Sequence, residues 1–400
     1  MNFKKVIPVA ALGVSLLMFL QFQYYETARR LLSGPVVAAR LATWGLGPVT
    51  EGPPRVQPGE KSSPLKKVVV LKPRYFRLGN STMLLSQGCP EWRCLITSDE
   101  REAESADAVV FTRSTGLNSV PKKRYAHQRY IWVNHESPVN TPRRFIKKTH
   151  FFNWTNTYHM KSDLFSPYGA LVPLTEKQLP VRAPTISDSR STFLKYKHDL
   201  EAGNSLEDDS SQDWSAFLRR PQLAAWLVSH CRTHSHRERY VKKLQTYIPV
   251  SVFGRCSRRR CVRSKLCFTS ALAPTYSFYL SFENSICNDY ITEKVWNAMQ
   301  YGLVPVVFGG GNYSAVLPPN SYVDANKLKP ADLAKLLKSI AASPREYGRY
   351  HLWRVYWKVL QVWPHCELCY KLHNDHNVSV YSNVNSWWNA AGKCRGPKII

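Results

Sequence analysis

The sequence predicts an α/β fold of two domains facing one another across a cleft, and three features carry that expectation. Short, continuous apolar runs recur along the chain. "VVVL" (68–71), "AVVF" (108–111) and "YIWV" (130–133) fall in the first half; "SVFG" (251–254), "FYLSF" (278–282) and "VPVVFG" (304–309) fall in the second. Runs apolar on both faces, alternating with helical stretches, belong to parallel sheets covered on both sides. Between the two groups lies the polar, acidic run "EAGNSLEDDSSQDW" (201–214), either an exposed loop or the approach to an interdomain linker. Finally, 400 residues at 44% hydrophobic content supply a core for two domains of ordinary size.

Taken in order, the chain opens with Lys4 and Lys5, an uncharged apolar run from Val6 to Leu20, and aromatics through Tyr25. The run has no small-x-small cleavage site after it, and aromatic residues suit a membrane–water interface. We therefore expect a cytoplasmic tail over 1–5 and a retained signal anchor over 6–25. Everything after it is then lumenal, in a single-pass type II arrangement; a cleaved signal peptide is the alternative. Residues 26–65, with "GPV", "GPP" and "SSP", read as an irregular stem. An acceptor-side domain is expected over 66–220, a ligand-binding domain over 221–375, and a C-terminal tail over 376–400. "PADLAKLLKSIAAS" (330–343) has helical spacing of apolar residues behind a proline, and so reads as a surface helix.

Two further features agree with a lumenal address. N-glycosylation sequons begin at Asn80, Asn153, Asn312 and Asn377, all past the anchor. The ten cysteines all lie at Cys89 or beyond, an even set that reads as disulfides in an oxidising compartment. Cys366 and Cys369 in "CELC" have the spacing of a zinc half-site or a redox pair. No second C-x-x-C completes four thiolates, so bridges are favoured.

A formal charge of +27 favours anionic partners. Nucleic acid is excluded as the partner class. The chain has no zinc-finger spacing, aromatic RNA-binding signature or basic zipper, and its densest basic run, "RCSRRRCVRSK" (255–265), lacks helical periodicity. A phosphate-bearing small molecule remains, and "FENSICNDYITEKVWNAMQYGLVPVVFGGG" (282–311) is where it would sit. A strand delivers Glu283 and Asn284 to the rim of a sheet. Asp289 is the expected N-cap of a helix that ends at Gly302 and carries Glu293 and Lys294 in its first turn. Free backbone N–H groups there already favour an anion, and Lys294 adds a full charge. Carboxylate and amide groups suit a polyol, so the set fits a sugar diphosphate. The bland alternative is a helix with a solvated, charged first turn.

The same stretch resembles the donor-binding signature of the α1,3-fucosyltransferase family, Y-x-F-x-L-x-F-E-N-S followed by D-Y-x-T-E-K. "YIWVNHESP" (130–138) resembles the family's W-x-N-x-E-S-P motif, and "FFNWTNTYHMKSDLFSPYG" (151–169) its F-N-x-T-x-T-Y segment. "VSHCRTHSHRERYVKKL" (228–244) is similar to the helix that opens the donor domain. The resemblance spans most of residues 85–370, in the family's order. It implies a GT-B fold, two Rossmann-like domains, and transfer of L-fucose from GDP-fucose in α1,3 linkage, with inversion, to GlcNAc of glycoprotein glycans. It also implies an invertebrate-type enzyme of the Golgi membrane.

By the same resemblance Glu136 is the base, with a capping or hydrogen-bonding glutamate as its plain alternative. Lys294 and Arg237 match pyrophosphate contacts; Tyr290 and Glu293 match residues holding the donor's sugar and ribose. Asn284 and Tyr240 belong to the donor set, as does Glu283, which has loop orientation as its alternative. Cys89 and Cys94 resemble positions that bridge to Cys366 and Cys369. The loop "GGGNY" (309–313) has more glycines than relatives carry. The chain has no D-x-D, so no metal cofactor is expected to be required, with stimulation by Mn²⁺ left open. Rival readings are an inactive GDP-sugar- or glycan-binding relative and a transferase using another nucleotide sugar.

Overall fold

The computed structural model describes residues 64–397, apart from 74–75, 116–118, 142–147, 177–179, 262–264 and 363. The expected tail, anchor and nearly all of the stem lie outside the described residues. Among the described residues, no helix is long and apolar enough to cross a membrane.

The apolar runs form strands for the reason their composition suggests. Val68, Val69, Val70 and Leu71 are all fully buried on β1 (Lys66–Leu71), a strand hydrogen-bonded on both sides. It pairs in parallel with β2 (Cys94–Thr97) and β3 (Ala108–Phe111), and the sheet continues through β4 (Arg129–Asn134), β5 (Trp154–Thr157) and β6 (Leu164–Phe165). The order is β2-β1-β3-β4-β5-β6. A short antiparallel pair joins β7 (Ala170–Pro173) to β13 (Trp357–Leu360).

A second, all-parallel sheet has the order β12-β11-β10-β8-β9, built from β8 (Gln222–Leu227), β9 (Val250–Phe253), β10 (Tyr276–Phe282), β11 (Val304–Phe308) and β12 (Val323–Asp324). Helix α1 (Arg237–Leu244) and helix α3 (Pro330–Ala342) cover one face of it. Their Val241, Leu244, Leu333 and Leu337 share a core with Phe278, Leu280 and Val306. Helix α2 (Glu293–Gln300) packs on β10 and β11. It ends at Gly302, whose φ of +82° is the left-handed turn that glycine adopts without strain.

Both sheets reverse their strand order once, between β1 and β3 in the first and between β8 and β10 in the second. Ligands of open parallel sheets sit at the carboxyl ends of strands at such reversals.

Three expectations need correcting. Helix α2 is capped by Thr292, not Asp289; Asp289 sits at φ +57° and accepts a hydrogen bond from the Met160 N–H. Of residues 228–244 only Arg237–Leu244 is helical, because the segment before it must turn at the sheet's carboxyl end. Of the tail expected over 376–400, the described residues 376–397 are no plain tail. Helix α4 (His365–Asn374) returns to the first sheet, where Leu368 and Leu372 pack with Val68, Val70 and Ile131. Helix α5 (Val384–Gly392) then buries Trp388 among Trp132, Tyr158 and Tyr290.

Disulfides Cys89–Cys366 and Cys94–Cys369 fasten α4 to the first sheet, so no thiolate remains there for zinc. Cys231–Cys256, Cys261–Cys267 and Cys287–Cys394 account for the other six cysteines.

Candidate active site

A cavity of about 410 Å³ lies at both strand-order reversals. The ends of β1, β3 and β4 bring Arg77, Arg113 and Glu136; the loops after β8 and β10 bring His230, Asn284 and Tyr290; helix α2 brings Glu293 and Lys294. A second cavity of about 530 Å³ adjoins it and shares Arg113, Glu136, His230 and Asn284.

Glu136 follows β4 by two residues. Its backbone N–H donates to Asn134 Oδ1 at 3.0 Å, which turns the loop, while its Oε2 accepts from the Tyr290 hydroxyl at 3.3 Å. Arg113 Nη1 stands 3.6 Å from Oε1, both side chains being more than a third exposed. Burial pushes the Tyr290 phenol well above its usual range, so it stays a proton donor toward Glu136. His135 is held neutral: burial lowers its imidazole to about 4, and its Nε2 lies 3.0 Å from Ser166 Oγ. The Tyr168 hydroxyl donates to the His135 carbonyl and fixes the same loop.

The opposite wall is anchored differently. Arg237 is 1% exposed; its guanidinium donates to the Phe282 and His230 carbonyls and lies over the Trp226 ring. Lys294 is buried, its Nζ donating to Glu283 Oε2 at 2.8 Å and to Thr292 Oγ1, with Glu293 Oε1 3.4 Å away. The lysine is thus a cation embedded between two carboxylates rather than a bare charge. The glycine run that follows has a steric basis, since a Cβ on Gly310 would sit 2.5 Å from the Cys287 carbonyl oxygen.

Glu136, Arg237, Asn284, Tyr290, Glu293 and Lys294 therefore converge on one cavity, as expected from the sequence. Two members of the donor set do not. Tyr240 is a core residue, fully buried between Phe282 and Phe308, with its hydroxyl donating to the Leu328 carbonyl at 2.8 Å. Its helix turns that face toward the sheet. Glu283 is likewise fully buried; its carboxylate accepts from the Thr292 N–H and hydroxyl and from Lys294, so it orients the donor loop from behind.

Among the sequons, Asn80, Asn312 and Asn377 are exposed. Asn153 is an unsuitable acceptor. It is 3% exposed, its amide nitrogen donates to the Ser379 carbonyl, and its oxygen accepts from Tyr130 N–H and Arg124.

Sequence reasoning missed Arg113, His230, Gln361, Val362 and Pro364. Arg113 follows the end of "AVVF", so the strand-end argument applied to Glu283 and Asn284 reaches it too. Gln361, Val362 and Pro364 arrive through the disulfide-tied return of the chain; the cysteines signal the bridges, but nothing in the local sequence places these three residues at the cavity.

An acid on one wall and embedded cations on the other suit transfer of a group from an anionic carrier to a hydroxyl. Comparison with known proteins agrees. The model of the N-terminal domain of fucosyltransferases matches residues 66–169, and that of the C-terminal domain of glycosyltransferase family 10 matches 217–387. The Drosophila melanogaster alpha-(1,3)-fucosyltransferase C is 36% identical over 311 residues, covering 75% of this chain and 70% of that one. The Caenorhabditis elegans alpha-(1,3)-fucosyltransferase fut-1 is 30% identical over 316 residues, covering 76% and 66%. A crystal structure of an α1,3-fucosyltransferase with GDP-fucose overlaps at a TM-score of 0.43 and 16% identity, covering 84% of this chain and 92% of that one; no residue assignment follows from it. The chain belongs to glycosyltransferase family 10, the fucosyltransferases.

Proposed function

We propose that this fucosyltransferase moves L-fucose from GDP-fucose, in α1,3 linkage, to GlcNAc of glycoprotein glycans, with two Rossmann-like lobes in the GT-B arrangement. The observation that carries this reading is the single cavity lined by Glu136 on one wall and by Lys294 and Arg237 on the other. Relatives named as α1,3-fucosyltransferases support the transferred sugar and the linkage.

In the proposed step a Glu136 carboxylate oxygen takes the proton of the acceptor hydroxyl. The hydroxyl oxygen forms a bond to the anomeric carbon of fucose from the face opposite the diphosphate. The carbon–oxygen bond to the β-phosphate breaks, its electron pair leaves on GDP, and the configuration inverts. Lys294 and Arg237 face the departing diphosphate, the positions at which fixed positive charge lowers the barrier. A diphosphate leaves readily without protonation, so no general acid is assigned. These two cations occupy the role a D-x-D-bound ion has in other transferases, so full turnover is expected in EDTA, with Mn²⁺ stimulation as the variant to check. The proposed setting is the Golgi lumen, on a type II anchor over residues 6–25.

Transfer of labelled fucose by the full-length chain, assayed beside Glu136→Gln, tests the reading. The parent should turn over with GDP-fucose, and the variant should retain GDP binding while losing about 10²–10⁴-fold in kcat. An inactive parent, or a variant of undiminished rate, refutes it.

A further inference from the structure

The two walls meet through two buried serines that the mechanism does not use. Ser285 Oγ donates to Ser137 Oγ at 2.7 Å, and both residues are fully buried. Each is the immediate neighbour of a cavity-lining residue, Asn284 on the donor wall and Glu136 on the acceptor wall. Ser285 Oγ also stands 3.2 Å from Asn284 Oδ1, and Asn140 Nδ2 donates to Ser137 Oγ at 3.1 Å.

Helix α5 braces the same junction from behind. Trp388 Nε1 donates to Thr141 Oγ1 at 3.1 Å. That hydroxyl accepts from Asn134 Nδ2 at 2.7 Å and donates to the Ser137 carbonyl at 2.9 Å. Asn134 in turn holds the Glu136 N–H. At its other end the helix ties to the donor loop: the Gly392 carbonyl accepts from Asn288 N–H at 2.7 Å, Arg395 N–H donates to the Ile286 carbonyl, and Cys287–Cys394 closes the link. Gly392 packs so closely on Pro138 that a Cβ there would meet its ring carbon at 2.5 Å.

We infer that Ser137 and Ser285 are positioning residues: together with helix α5 they set the separation between the base Glu136 and the donor cradle, and so the alignment of acceptor hydroxyl with anomeric carbon. A neutral buried hydrogen bond contributes little to global stability, whereas a small misplacement of reacting groups is costly in rate. The inference rests on fucosyl transfer as the reaction.

The test uses the full-length chain with GDP-fucose and a GlcNAc-terminated oligosaccharide. kcat, the KM of the donor, the Kd of GDP and Tm are measured for Ser137→Ala, Ser285→Ala, the double variant and Trp388→Phe. Each serine variant should lower kcat about tenfold while GDP affinity stays within about twofold. The double variant should fall no more than about twofold below either single one, because one contact is being removed twice. Should a serine variant fail to fold, Trp388→Phe decides, with kcat expected to fall at least about threefold at unchanged GDP affinity. Full kcat in the variants, losses that multiply, or GDP affinity falling in step with kcat would overturn the inference. A parent without turnover sinks the reaction assignment instead, a result distinct from an active parent with indifferent variants.

Discussion

The two walls of the cleft hold their charges in opposite ways. On the donor wall, Lys294, Glu283 and Thr292 form a buried, mutually satisfied cluster, and Arg237 is pinned by backbone carbonyls. On the acceptor wall, Glu136 is a third exposed and held by one hydroxyl at 3.3 Å and one arginine at 3.6 Å. The lesson concerns preorganisation. A diphosphate keeps its charge throughout the reaction and gains from a fixed cradle, whereas the base must meet an incoming hydroxyl and then carry its proton. Breaking each wall should therefore read out differently.

The largest effect should come from Lys294→Met. Removing one member of a buried ion pair leaves Glu283 uncompensated, at a cost of ~3–5 kcal/mol in stability. It should also cost at least ~10²-fold in kcat/KM through the lost charge on the diphosphate. Adding Glu283→Gln to that variant should recover much of the stability, because the stranded charge is gone, and none of the activity. Thermal unfolding and donor kinetics on the three proteins separate the two roles. If the double variant regains rate, Lys294 acts only as a structural partner.

That split between touching ligand and supporting what touches it marks how far sequence reasoning reached. The strand-end and helix-start arguments located Asn284, Glu293 and Lys294, because each depends on local geometry that a few residues determine, and the family resemblance added Tyr290. The strand-end argument failed for Glu283 and the resemblance for Tyr240, since both side chains are turned into the interior and not toward the cavity. β5, with "WTNT" buried throughout, shows the same limit: its polar residues lie in the interior, where no apolar run announces a strand. The return of α4 to the first sheet is legible only through the resemblance of Cys89, Cys94, Cys366 and Cys369, whereas that of α5 depends on contacts made across more than 200 residues, which only the finished fold exhibits.

A middle-sized effect is expected with acidity. His135 is depressed to about 4 by burial, and His351, 1% exposed, is pushed well below its usual value by burial and by neighbouring Arg354 and Arg220. The unfolded chain takes up protons at these residues below about pH 6.5 while the folded chain does not. These histidines therefore cost nothing above pH 6.5, and a destabilising penalty grows as pH falls toward 4. For His135, part of which faces the cavity, the penalty is on the order of 1–2 kcal/mol. Denaturant titrations from pH 7 to 4.5 should show this slope, and His135→Gln should flatten it. An unchanged slope would mean that the acceptor wall is looser than its hydrogen bonds to Ser166 and Tyr168 imply.

The smallest effects should come from the two light contacts on the base. Exposed ion pairs contribute at most about 1 kcal/mol and are screened by salt, so Arg113→Ala should change kcat/KM by less than about fivefold. Half-molar salt should shrink that difference further. Tyr290→Phe removes a buried donor from Glu136 without leaving a buried polar group unpaired, since Glu136 is a third exposed, and should cost about two- to tenfold. Both changes should fall on kcat more than on GDP affinity if the acceptor wall is adaptable in the sense drawn above. A loss at Arg113 as large as that at Lys294, insensitive to salt, would instead place Arg113 on the diphosphate itself, and the division of labour between the walls would have to be redrawn with cations on both sides of the donor.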